Sequence, residues 1–201
     1  MRVIAGSARG IHLKGPEGPG TRPMTDRVKE SLFGTLASLG YPQDGDRVLD
    51  LYAGTGALGI EALSRGAAWA DFVEHHAGAA RIIAANLAAS HLAAQARVHV
   101  VGAQGYLQGG IRSGAGGGAP AGLPRDDKYD IIFMDPPYAD PAIVTILELL
   151  AGDRFLAPEG LLVVGHATAV ALPETPGTLG RIRHKLFGGS AFSLYRRGVG
   201  E

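Results

Sequence analysis

The chain has 201 residues, of which 46% are hydrophobic and 19% are charged, so its length suits one domain with a proper core. It contains no cysteine, which excludes disulfides and thiolate metal sites, and it shows neither a signal-peptide core nor an apolar run long enough for a membrane helix. Its 19 basic residues balance its 19 acidic ones, so any case for nucleic-acid binding depends on local patches. We expect a cytoplasmic protein, and nothing in the sequence requires more than a monomer.

The first 24 residues are rich in glycine, proline and arginine. Segments 2–6 and 11–15 are bounded by turn residues and predict a short hairpin, which is followed by a loop over 16–23. Basic side chains here could contact phosphates without reading sequence, namely Arg2, Arg9, Lys14, Arg22 and Arg27. A solvated surface segment would show the same charges. A second basic stretch, with no acid, runs from Arg181 to Gly200.

A helix is predicted over residues 26–39. Thr25 suits its N-cap, and Asp26 is favourable in its first turn. Apolar residues recur along it at helical spacing, namely Val28, Leu32, Leu36 and Leu39. This helix and the preceding hairpin predict an N-terminal arm over residues 1–40, in front of a domain over residues 41–201.

From residue 46 the pattern alternates between strands and helices. Apolar runs predict strands at 47–52, 70–74, 96–101, 129–134 and 160–166, with helices at 57–65, 76–91 and 141–151. This alternation is typical of a mostly parallel sheet covered by helices on both faces. Segments 181–188 and 190–197 predict an antiparallel hairpin that completes an α/β sheet of seven strands. Between the third and fourth strands, residues 109–125 are low-complexity and predict a surface loop.

A glycine loop follows the first predicted strand. Gly54, Gly56 and Gly59 form G-x-G-x-x-G between a strand and a helix, and this motif lets a ligand approach the backbone closely. Glu74 ends the next strand, 18 residues after Gly56, where an acid can accept both hydroxyls of a ribose. The pattern therefore predicts a nucleoside cofactor, although a turn required only for packing would also need glycine.

Asp50 bears on which cofactor binds. It lies four residues before Gly54, and a carboxylate there suits a cationic amine better than a pyrophosphate. This favours S-adenosylmethionine over a dinucleotide. The alternative is that Asp50 only accepts hydrogen bonds from loop amides.

The fourth predicted strand ends in "DPPY", Asp135 to Tyr138. Ligands of open α/β sheets bind beyond the carboxyl ends of the strands, so this turn and the glycine loop would flank one crevice if the first and fourth strands are neighbours. The prolines hold the turn rigid, and Asp135 with the Pro136 carbonyl could accept both hydrogens of one amino group. Tyr138 could stack on a planar ring. A proline-rich strand end without chemistry is the alternative.

With the glycine loop, "DPPY" resembles the class I S-adenosylmethionine-dependent amino-methyltransferases, which share a Rossmann-like fold. The segments "RVIAGSARG", "GPGTRPMTDRVKESLF" and "KLFGGSAFSLY" resemble one family among them, the RsmD family of 16S ribosomal RNA guanine-N2 methyltransferases. The resemblance covers nearly the whole chain. It implies methylation of a guanine in the small ribosomal subunit or its assembly precursor, with no metal.

The resemblance also implies roles for individual residues. Target binding and catalysis would involve Asp135, Pro136, Pro137 and Tyr138. The cofactor would contact Asp50, Tyr52, Ala53, Gly54, Gly56, Glu74, His75, Ala103, Gln104 and Asp135. Arg22, Thr25, Asp26 and Arg27 would contact RNA or help close the site, and the charge pattern adds Arg2, Arg9 and Lys14 to the expected RNA contacts.

The chain departs from the family at several positions. Met24 and Gly34 stand where relatives more often have Thr and Asn, and "VVGH" lacks the Glu that often ends the fifth strand. Gly102 and Ala103 replace the acid or amide that usually reads the adenine amine, so that contact falls to the backbone or to Gln104.

Three other functions fit parts of the pattern. A nicotinamide-dependent dehydrogenase explains the glycine loop and Glu74 but leaves "DPPY" without a role. A DNA or RNA adenine-N6 methyltransferase shares the chemistry, although a DNA enzyme would normally need a further recognition domain. A nucleic-acid-binding module without activity would need an altered pocket, and these motifs are intact.

Overall fold

The computed structural model describes residues 1–15, 25–109, 128–137 and 140–198. Three sequence predictions therefore fall outside the described residues: the loop at 16–23 with Arg22, nearly all of the low-complexity segment 109–125, and the tyrosine of "DPPY", Tyr138.

Apart from an additional α-helix between the third and fourth strands, the helices and strands follow one another in the order that the sequence predicts. The helices are α1 (Asp26–Ser38), α2 (Ala57–Ser64), α3 (Ala77–Ala89), α4 (Ala103–Gly109) and α5 (Ile143–Ala151). The strands are β1 (Arg47–Leu51), β2 (Trp69–Glu74), β3 (Ala96–Val100), β4 (Tyr129–Met134), β5 (Leu156–Ala167), β6 (Leu179–Phe187) and β7 (Ser190–Arg197).

These strands form a single seven-stranded sheet in the order β3-β2-β1-β4-β5-β7-β6. β1 to β5 pair in parallel, whereas β7 is antiparallel to both β5 and β6. The predicted α/β sheet with an antiparallel C-terminal hairpin is confirmed. So is the adjacency of the first and fourth strands, and the strand order reverses between them.

Apolar runs form the central strands because both faces of the sheet are covered. Every residue of β1 and β2 is buried, including the polar Asp50, Asp71 and Glu74. On one face α1, α2 and α3 pack over one core cluster, and on the other α4 and α5 pack over a second. The glycine loop and the "DPPY" turn directly follow two of these strands, β1 and β4.

Sequence reasoning missed α4 and misplaced several boundaries, of which two matter for the site. The sequence of α4, "AQGYLQG", contains two glycines and buries only Ala103, Tyr106 and Leu107, so its helical signal is weak. The helix predicted from residue 141 begins at Ile143, and the strand predicted from residue 160 begins at Leu156, where its pairing with β4 is irregular.

The N-terminal hairpin is present as a small antiparallel pairing. Arg2 and His12 form a bridge, and the Val3 amide donates to the Ile11 carbonyl at 2.9 Å. The Thr25 hydroxyl caps α1 by accepting from the Val28 amide at 3.3 Å, as its position predicts.

A buried ion pair fastens this hairpin to the helices. Lys29 Nζ of α1 lies 3.2 Å from Glu61 Oε2 of α2, and neither side chain is exposed. Glu61 also accepts from the backbone amides of Ile4 and Ala5, at 2.8 and 3.0 Å. Desolvation lowers the pKa of Lys29, while the Glu61 carboxylate opposes that shift. Glu61 thus joins the hairpin, α1 and α2 at one carboxylate.

Within the described parts of the chain, no helix is both long enough and apolar enough to cross a membrane.

Candidate active site

The crevice lies where β1 and β4 end side by side. Leu51, the last residue of β1, is in register with Met134, the last residue of β4. The glycine loop therefore leaves the sheet directly beside the turn that begins at Asp135. The two motifs that the sequence separates by some 80 residues form opposite walls of one crevice, at the switch point of the sheet.

The glycine loop has a left-handed backbone at three positions. The φ angles are 60° at Tyr52, 56° at Gly54 and 77° at Gly56. A side chain at Gly54 would approach only the Tyr52 carbonyl, at 3.9 Å, so Gly54 is required by its backbone angle and leaves the crevice side open. At Gly59 a Cβ would lie 2.4 Å from Phe72, so the third glycine serves helix–strand packing.

Glu74 holds this loop from the neighbouring strand. Its Oε2 accepts from the Gly54 amide at 3.0 Å, and its Oε1 accepts from the His76 amide at 2.7 Å. The exposed His75 ring places Nδ1 3.1 Å from the same Oε1. The structure therefore brings Gly54, Glu74 and His75 together as the sequence predicts, with the carboxylate fixed by backbone donors.

Asp50 lies beneath the loop, and both of its suggested roles have structural support. Its Oδ2 accepts from the Gly59 amide at 2.9 Å, which is the loop-bracing role. Burial, with Asp135 and Glu74 nearby, raises the pKa of Asp50 to about 8. A buried carboxyl group with a raised pKa and no cation beside it among the described residues is also suited to receive a cationic ligand group.

Asp135 forms the opposite wall. Among the described residues no hydrogen-bond donor contacts its carboxyl group, and desolvation raises the pKa of that group to about 6. Pro136 is buried and Pro137 is exposed, and the Pro136 carbonyl accepts from no described backbone amide. This wall therefore presents acceptors that the rest of the described protein leaves unused.

Gly165 of β5 makes room for Asp135, a role that sequence reasoning did not find. A Cβ at Gly165 would lie 2.0 Å from Asp135 Oδ1 and 3.1 Å from the Phe192 ring. The glycine of "VVGH" thus lets the carboxyl group lie against the strand. The signal available in the sequence was that this segment lacks the Glu that often ends the fifth strand in the family.

Asn86 of α3 connects the glycine loop to the N-terminal hairpin. Its side-chain nitrogen donates to the Thr55 and Lys14 carbonyls at 2.9 and 3.1 Å, and its Oδ1 accepts from the Lys14 amide at 2.8 Å. Its place in the helix segment "AANL" favours a structural rather than a catalytic role, and its contacts are of that kind, although they reach the loop itself.

The predicted adenine-contacting residues lie at one end of the crevice. The Val101 amide donates to the Glu74 carbonyl at 3.1 Å, which brings the chain after β3 beside β2. α4 then begins with the buried Ala103 and the exposed Gln104. Ala53 is buried next to Gly54, and its amide donates to the Val73 carbonyl at 3.0 Å.

The predicted RNA-contacting residues divide into two groups. Arg2 pairs with Asp26, with Arg2 Nε 3.4 Å from Asp26 Oδ2, and the Thr25 hydroxyl is used as the α1 cap. Arg9, Lys14 and Arg27 are exposed. The structure therefore gives Arg2, Asp26 and Thr25 contacts within the arm, and leaves the other three cations at the surface.

The described residues contain no group of three or more His, Asp or Glu that could hold a metal ion. The neighbouring rings of His75 and His76 lie 3.8 Å apart, but the carboxylate beside them is Glu74, which the loop amides already occupy.

The fold is that of the class I methyltransferases. It combines this sheet, a strand order that reverses between β1 and β4, and a crevice with two walls at that point. The solved structure of yhhF from Escherichia coli superposes with a TM-score of 0.77 at 33% identity, covering 98% of this chain and 97% of that one. The structure of TTHA0928 from Thermus thermophilus gives a TM-score of 0.75 at 28% identity, covering 98% and 99%.

Sequence comparison resolves the family within that class. The family model described as "Conserved hypothetical protein 95" matches residues 1–196. Ribosomal RNA small subunit methyltransferase D of Escherichia coli (strain K12) is 36% identical over 197 residues, covering 98% of this chain and 90% of that protein. YlbH of Bacillus subtilis (strain 168) is 37% identical over 197 residues, covering 98% and 99%. The chain belongs to this family, the RsmD family.

Proposed function

We propose that the protein transfers a methyl group from S-adenosylmethionine to the exocyclic N2 amine of a guanine in small-subunit ribosomal RNA. The observation that carries this proposal is the pairing of β1 with β4, because it places the glycine loop and the unpartnered Asp135 on opposite walls of one crevice.

The cofactor wall fits S-adenosylmethionine. The left-handed backbone at Gly54 leaves open space on the crevice side, and Glu74 can accept ribose hydroxyls at the end of β2. Asp50 is a buried carboxyl group to which no described cation is paired, which suits an amino-acid tail and disfavours a pyrophosphate. Ala103 and Gln104 would lie at the adenine. When bound, the cofactor supplies an electrophilic methyl group carried on a sulfonium.

The Asp135 wall acts on the nucleophile. An exocyclic amine is a weak nucleophile because its lone pair is delocalised into the base. The Asp135 carboxylate and the Pro136 carbonyl would accept its two hydrogens, favour a pyramidal nitrogen and stabilise the positive charge that develops on it. The alkylated amine then loses a proton, for which the Asp135 carboxylate would be the acceptor, and Tyr138 would stack on the base.

The N-terminal arm, residues 1–40, would position the RNA. Arg9, Lys14 and Arg27 are exposed cations on the face of the sheet that carries α1, and Arg22 belongs to the same arm. Phosphate contacts of this kind set the register of an RNA without reading its sequence. The target base must be in a loop or flipped out to enter the crevice.

The guanine and the small subunit are proposed from family membership. The Escherichia coli relative bears the name ribosomal RNA small subunit methyltransferase D. The crevice itself supports an amine acceptor site and is equally compatible with an adenine N6 amine.

A labelled methyl-transfer assay tests all of these points. Radiolabelled S-adenosylmethionine would be offered with small ribosomal subunits lacking the modification, with protein-free rRNA and with duplex DNA. Nucleoside analysis then identifies the product, and Asp135→Ala serves as the inactive control. We expect label in the subunits as N2-methylguanine.

Each of the other possible outcomes of this assay would identify a different error in the proposed function. Label recovered as N6-methyladenine would overturn the guanine assignment and keep the chemistry. Label in DNA alone would remove the RNA substrate. Absence of transfer together with binding of a nicotinamide dinucleotide would show that the glycine loop holds another cofactor.

A further inference from the structure

The C-terminal basic segment contains two exposed cations that form no ion pair within the described part of the chain, although Lys185 Nζ donates to Thr35 Oγ1 of α1 at 3.1 Å. Arg181 forms an ion pair with Glu174 at 2.7 Å, Arg197 with Asp153, and Arg196 lies over the Tyr41 ring. These three contacts hold the hairpin to the rest of the fold. Arg183 and Lys185 are exposed on β6, and neither forms an ion pair with a carboxylate in the described part of the chain.

These two cations line a cleft between α1 and the β6–β7 hairpin, which we call the α1–β6 cleft. Its volume is about 350 Å³, within the range of ligand-binding clefts. Its floor is apolar and includes Phe187 and Phe192, and its rim carries Thr35 and Ser38 of α1 with Arg183 and Lys185. Among the described residues, those that line it include no carboxylate.

The strand register places this cleft level with Asp135, across the strands of the sheet. Asp135 follows Met134, which pairs with Val164, so Asp135 is level with Gly165. Gly165 pairs with Phe192, and Phe192 pairs with Lys185. Three strand spacings of ~4.8 Å separate the first and last members of this row, which is a distance of about 14 Å.

Asp135 and Lys185, the two ends of this row, also lie on the same face of the sheet. The Phe192 ring lies beside the position that a Gly165 side chain would occupy, next to Asp135 Oδ1. Phe192 belongs to the core cluster under α1, and α1 forms the other wall of the cleft. The crevice and the cleft therefore lie on the same side of the sheet, with the buried Phe192 between them.

The lining suits a nucleic-acid strand. Two cations without carboxylate partners attract phosphates, and a phenylalanine ring offers a face for stacking. β6 is moreover the edge strand of the sheet, so its outer backbone groups are unpaired in the sheet. Cationic residues on an edge strand discourage pairing with another protein strand, which makes an RNA occupant the better match.

We propose that the α1–β6 cleft binds the single-stranded RNA that flanks the methylated nucleotide. This inference rests on the proposed RNA substrate and adds a second contact surface, separate from the N-terminal arm. Lys185 and Arg183 hold phosphates there, and Phe187 stacks on a base.

Charge reversal in the cleft provides the test. Lys185→Glu and Arg183→Glu would be compared with Lys128→Glu, which changes the charge equally but lies just before the amino end of the central strand β4 and does not line the cleft. Affinity for protein-free rRNA would be measured from low to moderate salt, alongside S-adenosylmethionine affinity and thermal stability. Lys185→Arg keeps the charge and serves as the rescue.

We expect each cleft reversal to weaken RNA binding about tenfold at low salt. The slope of log affinity against log salt should become shallower by roughly 0.7 for each lost phosphate contact. Lys128→Glu and Lys185→Arg should resemble the wild type, and cofactor affinity and thermal stability should not change. Phe187→Ala should weaken binding without altering the salt slope.

Two results would overturn the cleft proposal while leaving the proposed function intact. One is equal RNA binding by Lys185→Glu and Lys128→Glu in a preparation that still methylates subunits. The other is a defect confined to assembled subunits, since the occupant would then be a ribosomal protein. Conversely, Lys185-dependent RNA binding by an enzyme that methylates no RNA would remove the proposed function and keep the cleft.

Discussion

The two walls of the crevice differ in how their carboxyl groups are satisfied. On the glycine-loop wall, Glu74 accepts from the Gly54 and His76 amides, and Asp50 accepts from the Gly59 amide. On the opposite wall, Asp135 contacts no described donor. The first wall is assembled by the protein's own backbone before any ligand binds, whereas the second is completed only when a ligand brings hydrogen-bond donors.

This difference follows from what each wall has to hold. A cofactor that binds in one orientation is served by fixed acceptors, so the protein can use part of their capacity to keep the loop in place. An amine that must become nucleophilic needs acceptors that nothing else occupies. The four predictions below test this contrast.

The largest effect should come from Asp135→Asn. This change keeps the size of the side chain but removes the carboxylate that would accept from the amine and take up its proton. We expect single-turnover methyl transfer to fall by about 100-fold or more, while calorimetry shows S-adenosylmethionine affinity within twofold of the wild type. Equal losses in both quantities would show that Asp135 belongs to the cofactor wall.

A smaller but sizeable effect is expected from Gly165→Ala. The new methyl group would overlap Asp135 Oδ1, so the carboxyl group must move away from the strand. We expect a loss of roughly 10-fold or more in the methyl-transfer rate, because small misplacements of reacting groups are costly.

Gly189→Ala is the matched control, because a Cβ there meets nothing within 4 Å. Full activity of Gly165→Ala with an unchanged melting temperature would mean that the strand does not set the position of Asp135.

Asp135 and Gly165 also show what the sequence can and cannot predict. Buried parallel strands are visible as apolar runs, and Asp135 is visible because "DPP" interrupts one. Gly165 acquires its role from the pairing of β4 with β5, and Asn86 from contacts to Lys14, 72 residues away. The cleft between Thr35 and Lys185 joins residues 150 apart. Such roles depend on which elements pack together, and residue spacing does not encode that.

The third prediction concerns pH. Because desolvation raises the pKa of Asp135 to about 6, the carboxyl group becomes protonated and loses acceptor strength as the pH falls through that value. At saturating cofactor, the single-turnover rate should be level above about pH 7 and should fall about tenfold for each unit below about pH 6.

The residual activity of Asp135→Asn should show no such decline. A decline of the same midpoint in that variant would assign the titration to another group, with Asp50 as the first to examine.

The smallest effect on methyl transfer is expected from a change in the glycine-loop wall. Glu74→Gln keeps one acceptor oxygen for the loop but replaces the other with an amide that cannot accept. We expect S-adenosylmethionine affinity to fall about 10-fold, in line with the loss of about 1.4 kcal/mol, and the rate at saturating cofactor to change less than about twofold. A rate loss without an affinity loss would reverse the assignment of the two walls.

The buried pair of Lys29 and Glu61 determines where this chain can be cut or grafted. Glu61 accepts from the Ile4 and Ala5 amides, and Lys29 Nζ donates to the Arg2 carbonyl. The backbone of residues 2–5 therefore supplies hydrogen-bond partners to both members of that pair. Removing them would leave the Lys29–Glu61 pair in place but would take away the backbone groups that hydrogen-bond to it, and a buried polar group left unsatisfied costs about 1–3 kcal/mol. An arm exchanged between enzymes to redirect them to another RNA must therefore bring its own backbone donors to Glu61.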